Sequence, residues 1–227
     1  MNEAINQFKK VIKALHDNDI LKDIIVVGSW CLYYYRIYFD ETRHISPVRT
    51  LDLDLMIPSP PEIDKDVDVS AILENQSFDL KFDYNTGYVK YVNPALTVEF
   101  LTPMLGRGKS GPYEIKELHV NAQGLRFLNF LQQYTMKIKD GDIEVTVPEP
   151  SAFVMHKFII SQRRKNKAKA ERDIAAAKEL GEYLLTIDEQ KEKMIRIFKD
   201  VPEKWQDKIV SGVKGNSEEL HKYLTSI

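Results

Sequence analysis

The sequence predicts an α+β protein in which residues 1–147 combine strands with helices and residues 148–227 form a helical domain. Short β-branched or alternating apolar segments recur between residues 24 and 147. No strand pattern follows Pro148-Glu149-Pro150, and the apolar residues beyond it recur at helical spacing. The 227 residues are enough for one large domain or two small ones with a sizeable core.

The chain begins with a predicted amphipathic helix that ends near Asn18, marked by apolar residues at helical spacing: Ile5, Phe8, Ile12 and Leu15. Residues 24–27 (IIVV) then predict a buried strand that stops at Gly28-Ser29. The apolar stretch after this turn, WCLYYYRIYF, favours a helix packed back on the sheet. We expect its three consecutive tyrosines to pack within the fold, because consecutive residues cannot all face one base.

Further strands are predicted at residues 51–57, 87–92, 96–101 and 143–147, with Asn93-Pro94 as the turn between the second and third of these, and a helix is predicted at 125–134. The acidic residues 62–83 indicate a solvated loop and helix, and residues 103–112 a glycine-rich loop. Ser151 is a candidate helix N-cap. Beyond it we expect three or four helices, with breaks near Thr186, residues 200–202 and residues 212–216.

Composition indicates a cytoplasmic globular protein. The formal net charge of −2 excludes a global basic field for nucleic acid. The single cysteine, Cys31, fits a reducing compartment. The first residues, MNEAINQFKK, lack the apolar core of a signal peptide, and no apolar run is long enough for a membrane span.

Two aspartates stand out in the apolar segment RTLDLDLMI, which covers residues 49–57. On a strand, Asp52 and Asp54 project to one face about 6.6 Å apart. Two ionised carboxylates at that distance repel by about 2.5 kcal/mol at an effective dielectric near 20. A bridging divalent cation, for which Mg²⁺ is suited, would offset that repulsion. The alternative is a solvent-facing edge strand in which polar residues alternate with apolar ones.

Three other features favour the metal site. Gly28-Ser29 closes a strand and opens a helix, where backbone N–H groups can bind phosphate. Glu99 is a carboxylate in the otherwise apolar strand LTVEFL, and it could complete a two-metal site. Arg49 precedes the aspartate strand and could pair with an acid or a phosphate.

Taken together, VVGSW, RTLDLDLMI and VEFLTP resemble the nucleotidyltransferase superfamily of DNA polymerase β. The segments LGRGKSGP, LRFLNFL and VPEPSAFVMHK extend the resemblance over residues 24–180, towards prokaryotic proteins related to abortive-infection (AbiEii-type) toxin nucleotidyltransferases. The gap between Ser29 and Asp52 is longer than is usual in the family, and we assign the excess to the loop 40–47.

The resemblance implies a nucleotidyltransferase-fold mixed sheet followed by a helical C-terminal domain. It implies that Gly28 and Ser29 hold a nucleoside triphosphate (NTP). Asp52 and Asp54 would bind Mg²⁺, and Glu99 would complete the catalytic metal site. Two Mg²⁺ ions are expected, with Mn²⁺ as an alternative. The glycine-rich loop at 103–112 is expected to be a plain loop, or else a lid over the nucleotide.

The stretch FIISQRRKNKAKAERD is strongly basic. Read as one helix, it places Lys157, Arg164 or Lys165, Lys169 and Arg172 near one stripe. This stripe is either a solvated face or a site for nucleotide phosphates or an RNA backbone. In the resembled family a lysine here is taken to bind phosphate, which favours Lys157 and Lys169, with Asp173 orienting one of them.

The expected activity is transfer of a nucleoside monophosphate from an NTP to an acceptor hydroxyl of RNA, a protein or a small molecule, with release of pyrophosphate. One alternative is the toxin component of a toxin–antitoxin-like system that modifies tRNA or protein and has an antitoxin partner. Another is an inactive domain that only binds nucleotide or RNA, which the complete set of three acids disfavours. The sequence does not identify the acceptor or the preferred base.

Overall fold

The structure is a computed structural model that describes residues 2–41, 43–104, 106 and 111–226. These residues form nine α-helices and nine strands, and the strands include both parallel and antiparallel neighbours. The predicted α+β class with a mixed sheet is therefore confirmed. Most of the glycine-rich loop, including the lid considered for it, lies outside the described residues, at 105 and 107–110.

The α-helices are α1 (Asn2–Asp17), α2 (Cys31–Tyr38), α3 (Val69–Glu74), α4 (Leu128–Gln133), α5 (Pro150–Ser161), α6 (Lys167–Leu184), α7 (Asp188–Asp200), α8 (Glu203–Val213) and α9 (Glu218–Thr225). The strands are β1 (Ile25–Val27), β2 (Asp52–Met56), β3 (Asp79–Phe82), β4 (Val89–Val92), β5 (Thr97–Pro103), β6 (Tyr113–Ile115), β7 (Val120–Leu125), β8 (Thr135–Asp140) and β9 (Ile143–Pro148). Short 3-10 turns cover Leu21–Asp23, Gly28–Trp30 and Lys116–Leu118.

The main sheet has the strand order β3-β4-β5-β2-β1-β9-β8. Strands β2 and β5 are parallel, whereas β1 with β2 and β4 with β5 are antiparallel. Strand β7 pairs with both β5 and β6. Strands β2 and β5, which carry the three acids predicted as ligands, are therefore direct neighbours.

The chain divides into two compact units. The first comprises the residues up to Tyr34 together with Val48–Val147, and it contains the whole sheet apart from the last residue of β9. The second comprises Tyr35–Pro47 and the chain from Pro148 onward, which forms helices α5 to α9. Among the described residues, no helix is both long and apolar enough to cross a membrane.

Aromatic side chains fill the core of the first unit beside β1. Phe8 of α1 is fully buried and stacks on Trp30, with the ring centroids 4.2 Å apart. Tyr34 is also buried and meets Phe8 edge-on at 5.7 Å. In the second unit, buried Tyr35 donates its hydroxyl to the Pro148 carbonyl at 2.8 Å. The expectation that these tyrosines pack within the fold is confirmed for Tyr34 and Tyr35.

The structure corrects several local predictions. Strand β3 lies in the segment expected to be only loop and helix, and β6, β7 and β8 were also missed. The β3 sequence, DLKF, does alternate polar and apolar residues, but only over four positions at the end of an acidic segment, and all four residues are exposed. The breaks expected near Thr186, residues 200–202 and residues 212–216 are confirmed, and a further break at residues 162–166 makes five helices after Pro148. The N-cap of α5 is Glu149 with Pro150 at the first helical position, and Ser151 lies inside the helix.

Candidate functional site

Alternation along β2 separates an apolar face from an acidic one. Leu53 and Leu55 are fully buried, whereas Asp52 and Asp54 are half-buried on the opposite face. The backbone N–H of Asp52 donates to the Thr50 hydroxyl at 3.0 Å, which orders the start of the strand. The two leucines therefore fix the strand against the core while the two carboxylates share the other face.

The third acid lies directly across from the second. In the parallel pair of β2 and β5, Asp54 is opposite Glu99, and Asp52 is opposite Thr97. Directly opposed residues project to the same face of a sheet, with Cβ atoms about 4.5–5.5 Å apart. The structure thus brings Asp52, Asp54 and Glu99 to one face of two neighbouring strands.

The Gly28-Ser29 turn lies beside Asp54, at the end of β1, which pairs with β2 on the side away from β5. In the antiparallel pair of β1 and β2, Val27 is opposite Asp54, so Gly28 immediately follows on the neighbouring strand. Gly28 has a φ of +70°, and a Cβ built on it would lie 2.2 Å from Asp54 Oδ2. Only glycine both adopts this backbone and leaves room for that carboxylate. The Gly28-Ser29 turn leads directly into α2.

The polar face also carries a lysine that the sequence argument did not consider. Lys90 of β4 is opposite Glu99, and its Nζ lies 2.6 Å from Glu99 Oε1. Burial alone would lower the pKa of Lys90. The hydrogen bond to Glu99 and the charges of Glu99, Asp52 and Asp54 outweigh burial and raise that pKa. The alternation of Lys90 with buried Tyr91 was a signal for this face, but the register that places Lys90 opposite Glu99 was not predicted.

The donor set fits a hard divalent cation, because all three candidates are carboxylates and Mg²⁺ prefers oxygen ligands. Within the described ranges, however, no three His, Cys, Asp or Glu side chains are gathered closely enough to hold a metal ion as they stand. The predicted ligands share a face, but Glu99 is bound to Lys90.

Arg49 and Ser29 complete the residues of the first unit that were proposed as nucleotide ligands. Arg49 is exposed three residues before Asp52, and Ser29 is half-buried in the 3-10 turn. The geometry brings Ser29 near the acids through its neighbour Gly28. No such contact is described for Arg49.

We expect Gly28→Ala to weaken Mn²⁺ binding and to lower the free energy of unfolding by about 1–3 kcal/mol. The left-handed backbone disfavours alanine by about 1–2 kcal/mol, and the added Cβ would push the Asp54 carboxylate away. Gly141→Ala is the matched control, since Gly141 has a φ of +63° and open space around it. Urea unfolding and Mn²⁺ titration would measure both effects. Equal Mn²⁺ affinities in the two variants would contradict this role of Gly28.

The basic segment of the second unit is not one helix. Helix α5 ends at Ser161, and the side chain of Asn166 starts α6 by accepting the backbone N–H of Lys169 at 3.0 Å. The predicted continuous stripe through Lys157, Lys169 and Arg172 is therefore wrong, because a capped break separates its two halves. Lys169 and Arg172 are exposed.

Lys157 is instead part of a buried ion cluster. Its Nζ lies 2.6 Å from Asp173 Oδ1, and Arg164 Nε lies 2.9 Å from Asp173 Oδ2. Lys157 is 5% exposed and Asp173 7% exposed. Burial would raise the pKa of Asp173, but the charges and hydrogen bonds of Lys157 and Arg164 lower it. Of the two lysines predicted to bind phosphate, Lys157 is the one that pairs with Asp173.

His156 is buried beside this cluster and gives the second unit a pH dependence. Burial first, and then the charge of Lys157, lowers the pKa of His156 from 6.5 to about 3. His156 binds a proton more readily in the unfolded chain than in the folded one. The free energy of unfolding is therefore expected to be highest above pH 6.5 and to fall as the pH drops towards 3. Urea unfolding between pH 7 and pH 4 would measure this slope. A His156→Phe variant that keeps the same slope would contradict the assignment.

Two solved structures align with nearly the whole chain at low sequence identity. The crystal structure of an antigenic nucleotidyltransferase-like protein from Paracoccidioides brasiliensis aligns with a TM-score of 0.48 and 13% identity, over 99% of this chain and 93% of that chain. The solution structure of the antibiotic-resistance factor ANT(2'')-Ia aligns with a TM-score of 0.41 and 11% identity, over 98% of this chain and 89% of that chain. No curated protein sequence matches the chain.

A family model described as "Nucleotidyltransferase" matches residues 6–196, which is most of the chain. The matched range includes the acidic face of β2 and β5, the Gly28-Ser29 turn and the ion cluster of α5 and α6. The prediction of a nucleotidyltransferase is confirmed by this match. The chain belongs to the nucleotidyltransferase family.

Proposed function

We propose that the protein is a Mg²⁺-dependent enzyme that transfers a nucleoside monophosphate from an NTP to an acceptor hydroxyl of RNA, a protein or a small molecule. The observation that carries this proposal is the register of Asp54 with Glu99 on one sheet face, with Gly28 against the Asp54 carboxylate. Membership of the family supports an NTP as the nucleotide substrate.

In the proposed reaction, the acceptor oxygen forms a bond to the α-phosphorus of the NTP. The bond from that phosphorus to the oxygen that bridges it to the β-phosphorus breaks, and pyrophosphate leaves with the electron pair. The hydroxyl proton passes to a carboxylate of the acidic face, for which Glu99 is our candidate. Phosphoryl transfer of this kind depends mainly on positioning and on neutralising charge.

Asp52, Asp54 and Glu99 are the residues proposed to hold the divalent ions, two in number, with Mn²⁺ as a possible substitute for Mg²⁺. Bound ions would neutralise charge on the phosphates and lower the pKa of the attacking hydroxyl. Asp52 and Asp54 offer adjacent oxygen ligands on a rigid strand whose other face is buried. Gly28 and Ser29 would offer backbone N–H groups to the triphosphate.

The nucleotide-binding roles of Arg49, Lys157, Lys169 and Asp173 stay predictions from the sequence. Within the second unit, exposed Lys169 is the more accessible phosphate ligand, because Lys157 is buried against Asp173.

The abortive-infection branch and an antitoxin partner also stay predictions. Growth arrest on expression that is relieved by Asp54→Ala would support them.

The proposal is tested by incubating the purified chain with each of the four α-³²P-labelled NTPs, with and without Mg²⁺, and with cellular RNA or protein as acceptor. We expect pyrophosphate release and transfer of label, both abolished by chelation of the metal. Calorimetric NTP binding that is indifferent to Mg²⁺, without pyrophosphate release from any NTP, would overturn the proposal in favour of a binding domain.

A further inference from the structure

A row of charged side chains crosses three neighbouring strands on the acidic face. Lys90 of β4 is opposite Glu99 of β5, and Glu99 is opposite Asp54 of β2. Opposed residues share a face, so Lys90 stands directly beside the acids in this row, and Lys81 of β3, opposite Lys90, continues the row onto a fourth strand. The chain thus places a permanent cation beside the carboxylates proposed to bind a metal.

The contact is a direct one. Lys90 Nζ lies 2.6 Å from Glu99 Oε1, the distance of a charge-assisted hydrogen bond. The Glu99 side chain is 16% exposed and that of Lys90 is 46% exposed. The ammonium therefore reaches a largely buried carboxylate from the solvent side, and it can withdraw into water without leaving a buried lysine behind.

We propose that Lys90 is a positioning residue that holds the Glu99 carboxylate in the metal-free protein and competes with a divalent cation for it. Lys90 thereby weakens the binding of metal to the site before nucleotide arrives. Glu99 changes partner from the ammonium to the metal only when the ion is bound strongly enough to displace Lys90. This inference rests on the proposed function for its metal site, and it goes beyond that function in assigning the site an internal competitor.

Removing the positive charge of Lys90 is expected to strengthen Mn²⁺ binding by about tenfold, through relief of repulsion at a few ångströms in a water-like dielectric and release of Glu99. The experiment is Mn²⁺ titration of the full chain without nucleotide, with free Mn²⁺ measured by electron paramagnetic resonance. Lys90→Met is the main variant, and Lys90→Gln is a second neutral variant in case the first fails to fold. Lys90→Arg keeps the charge and should bind Mn²⁺ like the unaltered chain.

Lys81→Met is the matched control. Lys81 is opposite Lys90 on β3, so the same charge is removed from the same face, one strand further from Glu99. We expect Lys81→Met to strengthen Mn²⁺ binding by less than about threefold, because the Coulomb interaction weakens with distance. If Lys81→Met strengthened Mn²⁺ binding as much as Lys90→Met, any positive charge on this face would weaken binding equally. That result would overturn the proposed competition of Lys90 for Glu99.

The inference fails if folded Lys90→Met and Lys90→Gln bind Mn²⁺ no more tightly than the unaltered chain, or if no variant binds Mn²⁺ at all. This inference and the proposed function can be overturned independently of each other. A chain that shows the Lys90 effect on Mn²⁺ but releases no pyrophosphate keeps the inference and loses the function. A chain that transfers label while Lys90→Met leaves Mn²⁺ affinity unchanged keeps the function and loses the inference.

Discussion

Replacing Asp54 by asparagine is expected to lower the rate of pyrophosphate release about a thousandfold. Asp54 lies between Gly28 on one side and Glu99 on the other, at the centre of the acidic face. Asparagine keeps the shape of the side chain but removes the charge that a divalent ion needs. A loss of about 4 kcal/mol of transition-state stabilisation corresponds to that factor in rate.

Asp79→Asn is the control for this experiment. Asp79 lies on the exposed edge strand β3, on the same face of the sheet as Asp52, through the opposed pairs Asp79–Val92, Val92–Thr97 and Thr97–Asp52. The same chemical change there should leave the rate within about twofold. Steady-state assays of pyrophosphate release, with circular dichroism to check folding, would measure both variants. Full activity in folded Asp54→Asn would remove this residue from the site.

Asp173→Ala is expected to lower the free energy of unfolding by about 3–5 kcal/mol. The change leaves the ammonium of Lys157, which is 5% exposed, without the carboxylate 2.6 Å away. Urea unfolding at pH 7 would measure the loss. Asp188→Ala is the matched control, because Asp188 pairs with Lys191 at 2.8 Å on the exposed surface of α7 and its loss should change stability little.

A double variant tests whether the unpaired charge of Lys157, rather than lost packing around Asp173, causes the loss of stability. Lys157→Met with Asp173→Leu removes both charges and keeps apolar volume, so it should recover most of the stability that Asp173→Ala loses. The pH dependence gives a second check. Since the pKa of Asp173 is lowered below its ordinary 3.8, its contribution is present above that pH and is lost as the pH falls further. No recovery in the double variant would contradict the buried pair as the cause.

The parts of the fold that local periodicity encodes were predicted from sequence. Helix α1, strand β1, the glycine turn and the β4–β5 hairpin lie close to their expected positions. Each depends on residues within a few positions along the chain, where the periods of 3.6 and 2.0 and the turn residues act. Strand β3 was missed although its sequence DLKF alternates, because these four exposed residues end a segment whose acidic composition indicates a solvated loop and helix.

The basic segment shows a second limit of prediction from the sequence. Its charges suggested one continuous stripe, but the side chain of Asn166 caps a new helix and divides it. Burial then made Lys157 an internal partner of Asp173, 16 residues away in the chain. Lys157 lies within the apolar stretch FVMHKFII, and almost all of α5 is buried. Its partner Asp173 belongs to another helix, so the pairing depended on the packing of α5 against α6.

The sequence by itself determined that Asp52 and Asp54 share one face of a strand, and that a glycine turn ends the strand before them. These features follow from the alternation of a strand and from the backbone freedom of glycine. Only the tertiary structure decided that Glu99 stands opposite Asp54 and Lys90 opposite Glu99. The physical reason is strand register, which is set by the packing of segments that lie 9 to 45 residues apart in the chain, as the positions of Lys90, Glu99 and Asp54 show.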